Sequence, residues 1–375
     1  MTTEIPHRWS LEHNPLSGLT FGLWCRLLRE NGFDVDSCYL HRAAFISLMS
    51  LFNSACSACE RLRYGGSLRD VSVRSDPVFV LGHWRSGTTH LHNLLSLDGQ
   101  LTAPNTFQAV NPSSFLSTEW ILPTVFRPFL PSRRPMDEMA MSFDAPQEDE
   151  LALSLLCGLS PYIGLSFPKR TVEYERFITF GGVEESVVSR WKSAFRTFTA
   201  KLSLRDQRRI VFKSPAHTGR IKLLLELFPD ARFIHIHRNP FTVFQSSRHY
   251  FQTAAWFANL QKIDASQFDA AILRRYRILY DAYLEQRSLI PSGRLVELSF
   301  DDLSEKPLDS MEHLYDSLEI GDFSVVAPAV RDYLSTLSGY RKNQHRPLTQ
   351  HEILHVNEHW KPFFDEFGYS TEYCA

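Results

Sequence analysis

The sequence predicts an α/β protein with a central parallel sheet flanked by helices in three layers, preceded by a helical N-terminal extension. Two stretches carry that prediction. An apolar strand at residues 76–81 runs into a glycine-bracketed turn and a helix, and residues 209–247 read strand, helix, strand, helix. Strands that alternate with helices belong to parallel sheets, because a parallel connection needs a crossover long enough to hold a helix.

The first stretch continues as Gly82-His-Trp-Arg-Ser-Gly-Thr-Thr89. Gly82 and Gly87 free the backbone to aim successive N–H groups into one concavity, and a helix opening near Thr88 adds its unsatisfied amides and the positive end of its dipole. Such a turn is built for a phosphate, which makes the predicted fold P-loop-type. The spacing Gly-x-x-x-x-Gly matches the nucleotide-binding loop that continues with Lys-Ser/Thr, but Thr88 stands at the lysine position and the cation has moved to Arg85 inside the turn. The loop therefore argues for a phosphate-bearing ligand other than ordinary ATP.

In the second stretch, Ile210–Phe212 and Phe233–Ile236 are short apolar runs of the buried-strand kind, while Ile221, Leu224, Leu225 and Phe228 recur at helical spacing. Each strand ends in a cation, Lys213 and Arg238, where open parallel sheets place ligand-binding groups. Asn239 and Pro240 supply a helix cap and a first helical residue, which puts Ser246 and Ser247 in the second turn.

With both segments in view, the chain resembles the sulfotransferase superfamily, which moves a sulfuryl group from 3′-phosphoadenosine 5′-phosphosulfate to a hydroxyl or amine. Arg85, Ser86, Gly87, Thr88 and Thr89 match the signature that wraps the 5′-phosphosulfate. Arg238 and Ser246, eight residues apart, match the pair on the 3′-phosphate. Leu295–Leu303 is similar to the family's late strand and acidic turn, and Tyr340–His345, with Arg341 and Lys342, to its basic loop over the nucleotide. The match spans roughly residues 76–370 and looks closest to the broad bacterial-type branch that includes the tyrosylprotein enzymes. The resemblance implies that Gly82, Trp84, Arg85, Ser86, Gly87, Thr88, Thr89, Arg238, Ser246, Arg341 and Lys342 bind the donor, and that no metal is needed.

Sulfuryl transfer needs a cation where charge builds on the leaving phosphate and a base for the acceptor proton. Arg85 and Lys213 are the candidate cations. Cytosolic members of the family carry the base as a histidine two residues beyond the position of Lys213, where this chain has Pro215. Other relatives carry it as a glutamate soon after the loop helix, yet Pro104–Pro112 holds no carboxylate. The next acids, Glu148, Asp149 and Glu150, precede the apolar helical run Leu151–Leu156. Glu148 is the first candidate base, Asp149 the second and His217 the third, with helix capping as the alternative role of the acids. His83 and His90 flank the loop as a turn residue and a helix-face residue.

Composition excludes several classes. The chain is 43% hydrophobic and 22% charged with a formal net charge of -2, which describes a globular enzyme and not a nucleic-acid binder. The expected division is a helical extension over 1–75 and the sulfotransferase-like domain over 76–375. In the extension, Leu40, Ala44, Phe45, Leu48, Leu51 and Phe52 form a stripe between Tyr39 and Arg63 that is expected to pack on the sheet, with Gly65 and Gly66 ending the helix. No stretch reads as long and apolar enough to span a membrane, and the N-terminus lacks the apolar run of a signal peptide. Six scattered cysteines fit a reduced, cytoplasmic protein, with Cys56 and Cys59 as helix residues.

The prolines and aromatics of residues 104–170, among them Phe107, Phe115, Trp120, Phe126, Phe129, Phe143, Tyr162 and Phe167, suit a small apolar or aromatic acceptor, and equally a core or a homo-oligomer interface. Arg133 and Arg134 could steer an anionic acceptor or be solvated surface. The rival readings are a P-loop phosphotransferase, against which Thr88 counts, and a nucleotide-binding module that has lost its base.

Overall fold

The structure, a computed structural model, describes residues 7–12, 14–127, 141–337 and 345–374; Phe129, Arg133, Arg134, Arg341 and Lys342 lie outside them. The chain forms two compact units. The first takes the residues up to Val73, Pro104–Gln207 and Phe251–Ala265; the second takes Arg74–Ala103, Arg208–Tyr250 and the residues from Ser266 onward.

The second unit contains the expected parallel sheet. Strands β1 (Val78–Leu81), β2 (Leu101–Thr102), β3 (Arg209–Lys213), β4 (Arg232–His237) and β5 (Leu295–Ser299) lie in the order β2-β3-β1-β4-β5, and every pairing is parallel. All four residues of β1 are buried, as expected for a strand covered on both faces. Register fixes where the strands end. Val80 pairs with Lys213 and Leu81 with His235, so the chain leaves β1, β3 and β4 at one edge and side by side.

The two faces of the sheet are packed differently. On one, Phe79 stacks against Phe212 at 5.4 Å and Phe233 at 5.6 Å between ring centroids, an aromatic ladder across three strands. On the other, Val78, Val80, Val211, Ile234 and Ile236 meet Leu91, Leu94 and Leu95 of the helix Thr88–Leu95. That helix is thereby fixed to the sheet it leaves, and the turn between them is held at both ends.

In the first unit, α1 (Phe21–Glu30) buries Leu23, Trp24 and Leu27. Helix α2 (Leu40–Tyr64) ends at Gly65, as expected, but turns the opposite way from the sequence reading. Leu40, Ala44, Leu48, Leu51 and Phe52 are exposed, while Arg42, Ile46, Ser50, Asn53 and Glu60 are buried. Hydrogen bonds explain the inversion. Asn53 Nδ2 donates to the carbonyls of Ser17 and Leu19 at 2.7 and 3.0 Å, and the guanidinium of Arg42 donates to the carbonyls of Ser10, Trp256 and Asn259. These side chains satisfy loop carbonyls that water no longer reaches.

The membrane reading also needs correction. Residues Ser37–Tyr64 form a helical stretch long and apolar enough, by length and composition, to cross a membrane, and only 22% of its most apolar window is buried. Serines and an asparagine interrupt every apolar run, so the property emerges only as an average over the helix. No disulfide joins Cys56 to Cys59.

A buried ion pair ties α2 to the helix Glu185–Arg205: Lys201 Nζ lies 2.5 Å from Glu60 Oε1, with both side chains under 5% exposed (3% and 4%). Lys201 also reaches the carbonyl of Pro112 and lies over the ring of Phe115, and burial lowers its pKa against the pull of Glu60. Removing one partner strands the other charge. Lys201→Met is expected to cost about 3–5 kcal/mol in denaturant unfolding, with much of that recovered when Glu60→Leu is added. A loss under about 1 kcal/mol would mean that the pair behaves as solvated surface.

Candidate active site

The turn after β1 is held in an unusual backbone path. Gly82 has φ 142°, Arg85 φ 72° and Gly87 φ 104°. A Cβ on Gly82 would fall 2.4 Å from the carbonyl oxygen of Ile236, and one on Gly87 would fall 2.2 Å from the ring of Phe300. Both positions therefore require glycine. Arg85 holds its left-handed conformation at a cost of roughly 1–2 kcal/mol, of the kind that persists only where the surroundings over-determine it.

Those surroundings are specific. Gly82 N–H donates to Thr218 Oγ1 at 2.7 Å, which joins the loop to the 3₁₀ helix Pro215–Gly219 that follows β3. Both the N–H and the hydroxyl of Ser86 donate to the carbonyl of His83, at 3.1 and 2.8 Å. His83 is buried, and its Nδ1 lies 2.7 Å from the Trp84 carbonyl. Burial pushes its pKa down to about 3, so the ring is neutral and its Nδ1–H donates. His83 is thus a brace for the loop.

The predicted cations converge on this turn. Lys213, 2% exposed, donates to Thr89 Oγ1 at 3.4 Å. Arg85 Nε donates to Ser246 Oγ at 3.0 Å, and Arg238 Nη1 donates to the Arg85 carbonyl at 3.4 Å. Arg238 lies over the ring of Phe300 at 4.3 Å, so Phe300 touches both the place where Gly87 has no side chain and the face of the arginine. Ser246 arrives because Asn239 Oδ1 accepts from the N–H groups of Phe241 and Thr242, at 3.0 and 3.4 Å, starting the helix Pro240–Thr253 where the sequence placed it.

Two further histidines join the cluster. His249, one turn after Ser246, lies 5.6 Å from His345 between ring centroids. The pKa of His345 is lowered by burial first and then by His249, Arg238 and Arg85. The sequence reading reached His345 through its loop and missed both His249 and Phe300. A three-residue helical step from Ser246 would have found His249.

Two of the three candidate bases, Glu148 and Asp149, sit in the first unit. The helix over 151–156 begins earlier than expected, at Asp149, and runs to Cys157 with Glu148 at its cap position, yet Glu148 makes no capping hydrogen bond with its side chain. It accepts instead from the Tyr162 hydroxyl. Asp149 and Glu150 are fully buried, whereas Glu148 is partly exposed. His217, in the second unit, is also fully buried, with its ring edge-on to Phe79 at 5.6 Å.

The stretch 104–112 contains no acid of its own but is served by one. Glu119 Oε1 accepts from Asn105 Nδ2 at 2.8 Å and Gln108 Nε2 at 3.0 Å, and its other oxygen is 3.3 Å from Arg205. It orders the capping box of Asn105 and Gln108. The aromatics of this region divide: Phe107, Phe115 and Phe167 are core, Trp120 is exposed, and Phe126, Phe143 and Tyr162 are partly exposed. Among the described residues no group of three His, Cys, Asp or Glu is placed to hold a metal ion.

Gly87→Ala is expected to lower stability by about 1–3 kcal/mol through backbone strain alone. Adding Phe300→Ala should restore only part of the loss in a thermal melt, because the ring can be removed but the positive φ cannot. Full recovery would locate the constraint in the ring contact alone.

The chain has close relatives over nearly its whole length. A sequence model of the sulfotransferase family matches residues 77–324. The omega-hydroxy-beta-dihydromenaquinone-9 sulfotransferase Stf3 of Mycobacterium bovis is 35% identical over 364 residues, covering 96% of this chain and 93% of the relative; that of Mycobacterium tuberculosis gives the same figures. Among solved structures, sulfotransferase STF1 of M. tuberculosis superposes with a TM-score of 0.66 at 17% identity, covering 94% of each chain. STF9 of Mycobacterium avium gives 0.64 at 17% identity, covering 94% of this chain and 97% of that one. The fold is shared with these structures, and on the family match and the Stf3 identity the chain belongs to the sulfotransferase family.

Proposed function

We propose that this sulfotransferase takes its sulfuryl group from 3′-phosphoadenosine 5′-phosphosulfate and delivers it to the hydroxyl of an apolar, prenyl-type lipid, with residues 76–375 as the transfer domain and 1–75 as its helical preface. The observation that carries the donor assignment is the cluster of Arg85, Ser246, Arg238, His249 and His345 beside the loop. That is more anion-binding hydrogen-bond capacity than one phosphate site needs and suits a ligand with two separated anionic groups. Identity with Stf3, whose name gives a hydroxylated menaquinone derivative as acceptor, supports the lipid class.

The donor supplies an activated sulfuryl group whose bond to phosphate breaks, so negative charge builds on the leaving phosphate while the acceptor hydroxyl loses its proton. Gly82, Trp84, Ser86, Gly87, Thr88 and Thr89 would hold the 5′ end through loop and helix amides and the two threonine hydroxyls. Arg238 and Ser246, with His249, would hold the 3′-phosphate, and Arg341 and Lys342 are assigned to the same nucleotide. Arg85 and the buried Lys213 would neutralise the leaving charge, where low dielectric makes a fixed cation effective. Glu148 is assigned as the base. It is the partly exposed member of its acidic trio, its side chain makes no capping hydrogen bond, and Tyr162 donates to it. Asp149 and His217, both fully buried, are the second and third choices.

Calorimetric titration with 3′-phosphoadenosine 5′-phosphate, without metal, is expected to show tighter binding than ATP with magnesium. Arg238→Ala should weaken it by about 1.5–3 kcal/mol, the range of a charged hydrogen bond. Arg85→Ala and Glu148→Gln should leave binding within a few fold and reduce turnover about a hundredfold or more. Preference for ATP would return the chain to the phosphotransferases. Bisphosphate binding without turnover on any hydroxyl lipid would leave a nucleotide-binding module.

An anion placed among Arg85, Arg238 and His249 should raise the depressed pKa of His345. Bisphosphate affinity is therefore expected to rise as pH falls from about 8 to about 5, the range of histidine switching. The binding heat should also vary with the ionisation enthalpy of the buffer. Replacing His345 by glutamine should flatten both dependences, and a flat wild-type profile would remove His345 from the site.

A further inference from the structure

We propose that α2 seats this protein, lying in plane, on an anionic lipid bilayer. Its outer face is an apolar stripe, Leu40, Ala44, Leu48, Leu51, Ala55, Cys59 and Leu62, at three- and four-residue spacing and all exposed. Leu48 is 67% exposed and Leu62 89%. A row of side chains this apolar and this open marks an interaction surface.

Charge complementarity selects the bilayer over a second copy of the chain. Of the four charged residues between Leu40 and Tyr64, Arg42 is buried against backbone carbonyls and Glu60 is buried with Lys201. The exposed charges are Arg61 and Arg63, both cationic. At the other end of the helix, Trp9 lies 5.2 Å from His41 and is covered by Arg8 at 4.6 Å. A two-fold partner packed antiparallel would bring Arg61 and Arg63 against Arg8, with no exposed carboxylate on either helix to separate them. An anionic headgroup plane satisfies both ends at once.

The flanking aromatics agree. Trp9 is 71% exposed and Trp120 74%. Trp120 is tied to the far end of α2, since its Nε1 donates to the Ser117 carbonyl while the Ser117 N–H donates to Glu60. Exposed tryptophans near both ends of an apolar helix are the interfacial anchors of membrane-bound helices. The same buried hydrogen bonds exclude a spanning role. Crossing the bilayer would drag Arg42, Asn53 and Glu60 out of their partners and into hydrocarbon, whereas lying in the interface leaves every one in place. Docking of this kind does not depend on the acceptor assigned above, although it would bring the enzyme to a lipid acceptor.

The test uses the purified full chain with neither donor nor acceptor. Flotation with vesicles of phosphatidylcholine and phosphatidylglycerol is compared with vesicles of phosphatidylcholine alone, and sedimentation velocity follows the oligomeric state. The wild type is expected to float with the anionic vesicles and to lose binding with added salt. Leu48→Glu with Leu51→Glu should weaken partition about tenfold or more, and Arg61→Gln with Arg63→Gln should weaken it on anionic vesicles only. Thermal melts check that each variant is folded; should the leucine pair fail there, the arginine pair still decides. Absence of wild-type flotation, or flotation unchanged in folded variants, would overturn the proposal. So would a wild-type dimer that the leucine pair converts to monomers without any vesicle binding.

Discussion

The position of β1 between two parallel partners is the constraint on which the site depends. Because Val80 pairs with Lys213 and Leu81 with His235, three strands deliver their carboxyl ends to one edge without any side chain having to reach far. The glycine-bracketed turn after β1, the buried lysine and the strand-end arginine then meet as a matter of register. A slip of one residue in β3 would turn Lys213 to the opposite face of the sheet. The aromatic ladder of Phe79, Phe212 and Phe233 opposes such a slip, since it would move Phe212 out of the stack.

Close approach does the rest. Gly87 leaves the space that the Phe300 ring occupies, and that ring in turn carries Arg238. The late strand and the helix Phe300–Glu305 that follows it are in this way part of the loop's support. Ser246 extends the same logic from the other side by accepting from Arg85, so the two arginines are positioned by groups that are themselves fixed to secondary structure. Little reorganisation remains for a charged ligand to impose, which is the condition under which fixed dipoles and cations stabilise developing charge best.

The elements that were legible in the sequence are those whose signal is local. Gly82 and Gly87 announce a positive φ, Asn239-Pro240 announces a helix start, and Lys213 and Arg238 stand at the ends of short apolar runs. What could not be read depends on distant partners. Glu119 serves Asn105 and Gln108 only after the chain has folded back, and Phe300 acquires its role from a glycine in the distant turn after β1. The face of α2 was misread for the same reason: an apolar stripe normally points inward, but here the carbonyls of Ser10, Ser17, Leu19, Trp256 and Asn259 claim the polar side of the helix. Spacing within one helix carries no information about those carbonyls.

The interleaving of the two units has a consequence for how the chain comes to be folded. The polypeptide passes between units at Val73, Ala103, Gln207, Tyr250 and Ala265, so neither unit is a continuous fragment. On the ribosome, β1 emerges long before Val211 and Ile234 exist to pair with it. An apolar strand and an exposed apolar helix must therefore wait, unpartnered, while the intervening chain is made. Nonlocal parallel pairing of this kind is slow and exposes aggregation-prone surface. Synthesis halted before β4 would yield a nascent chain that needs a chaperone, not a smaller working enzyme.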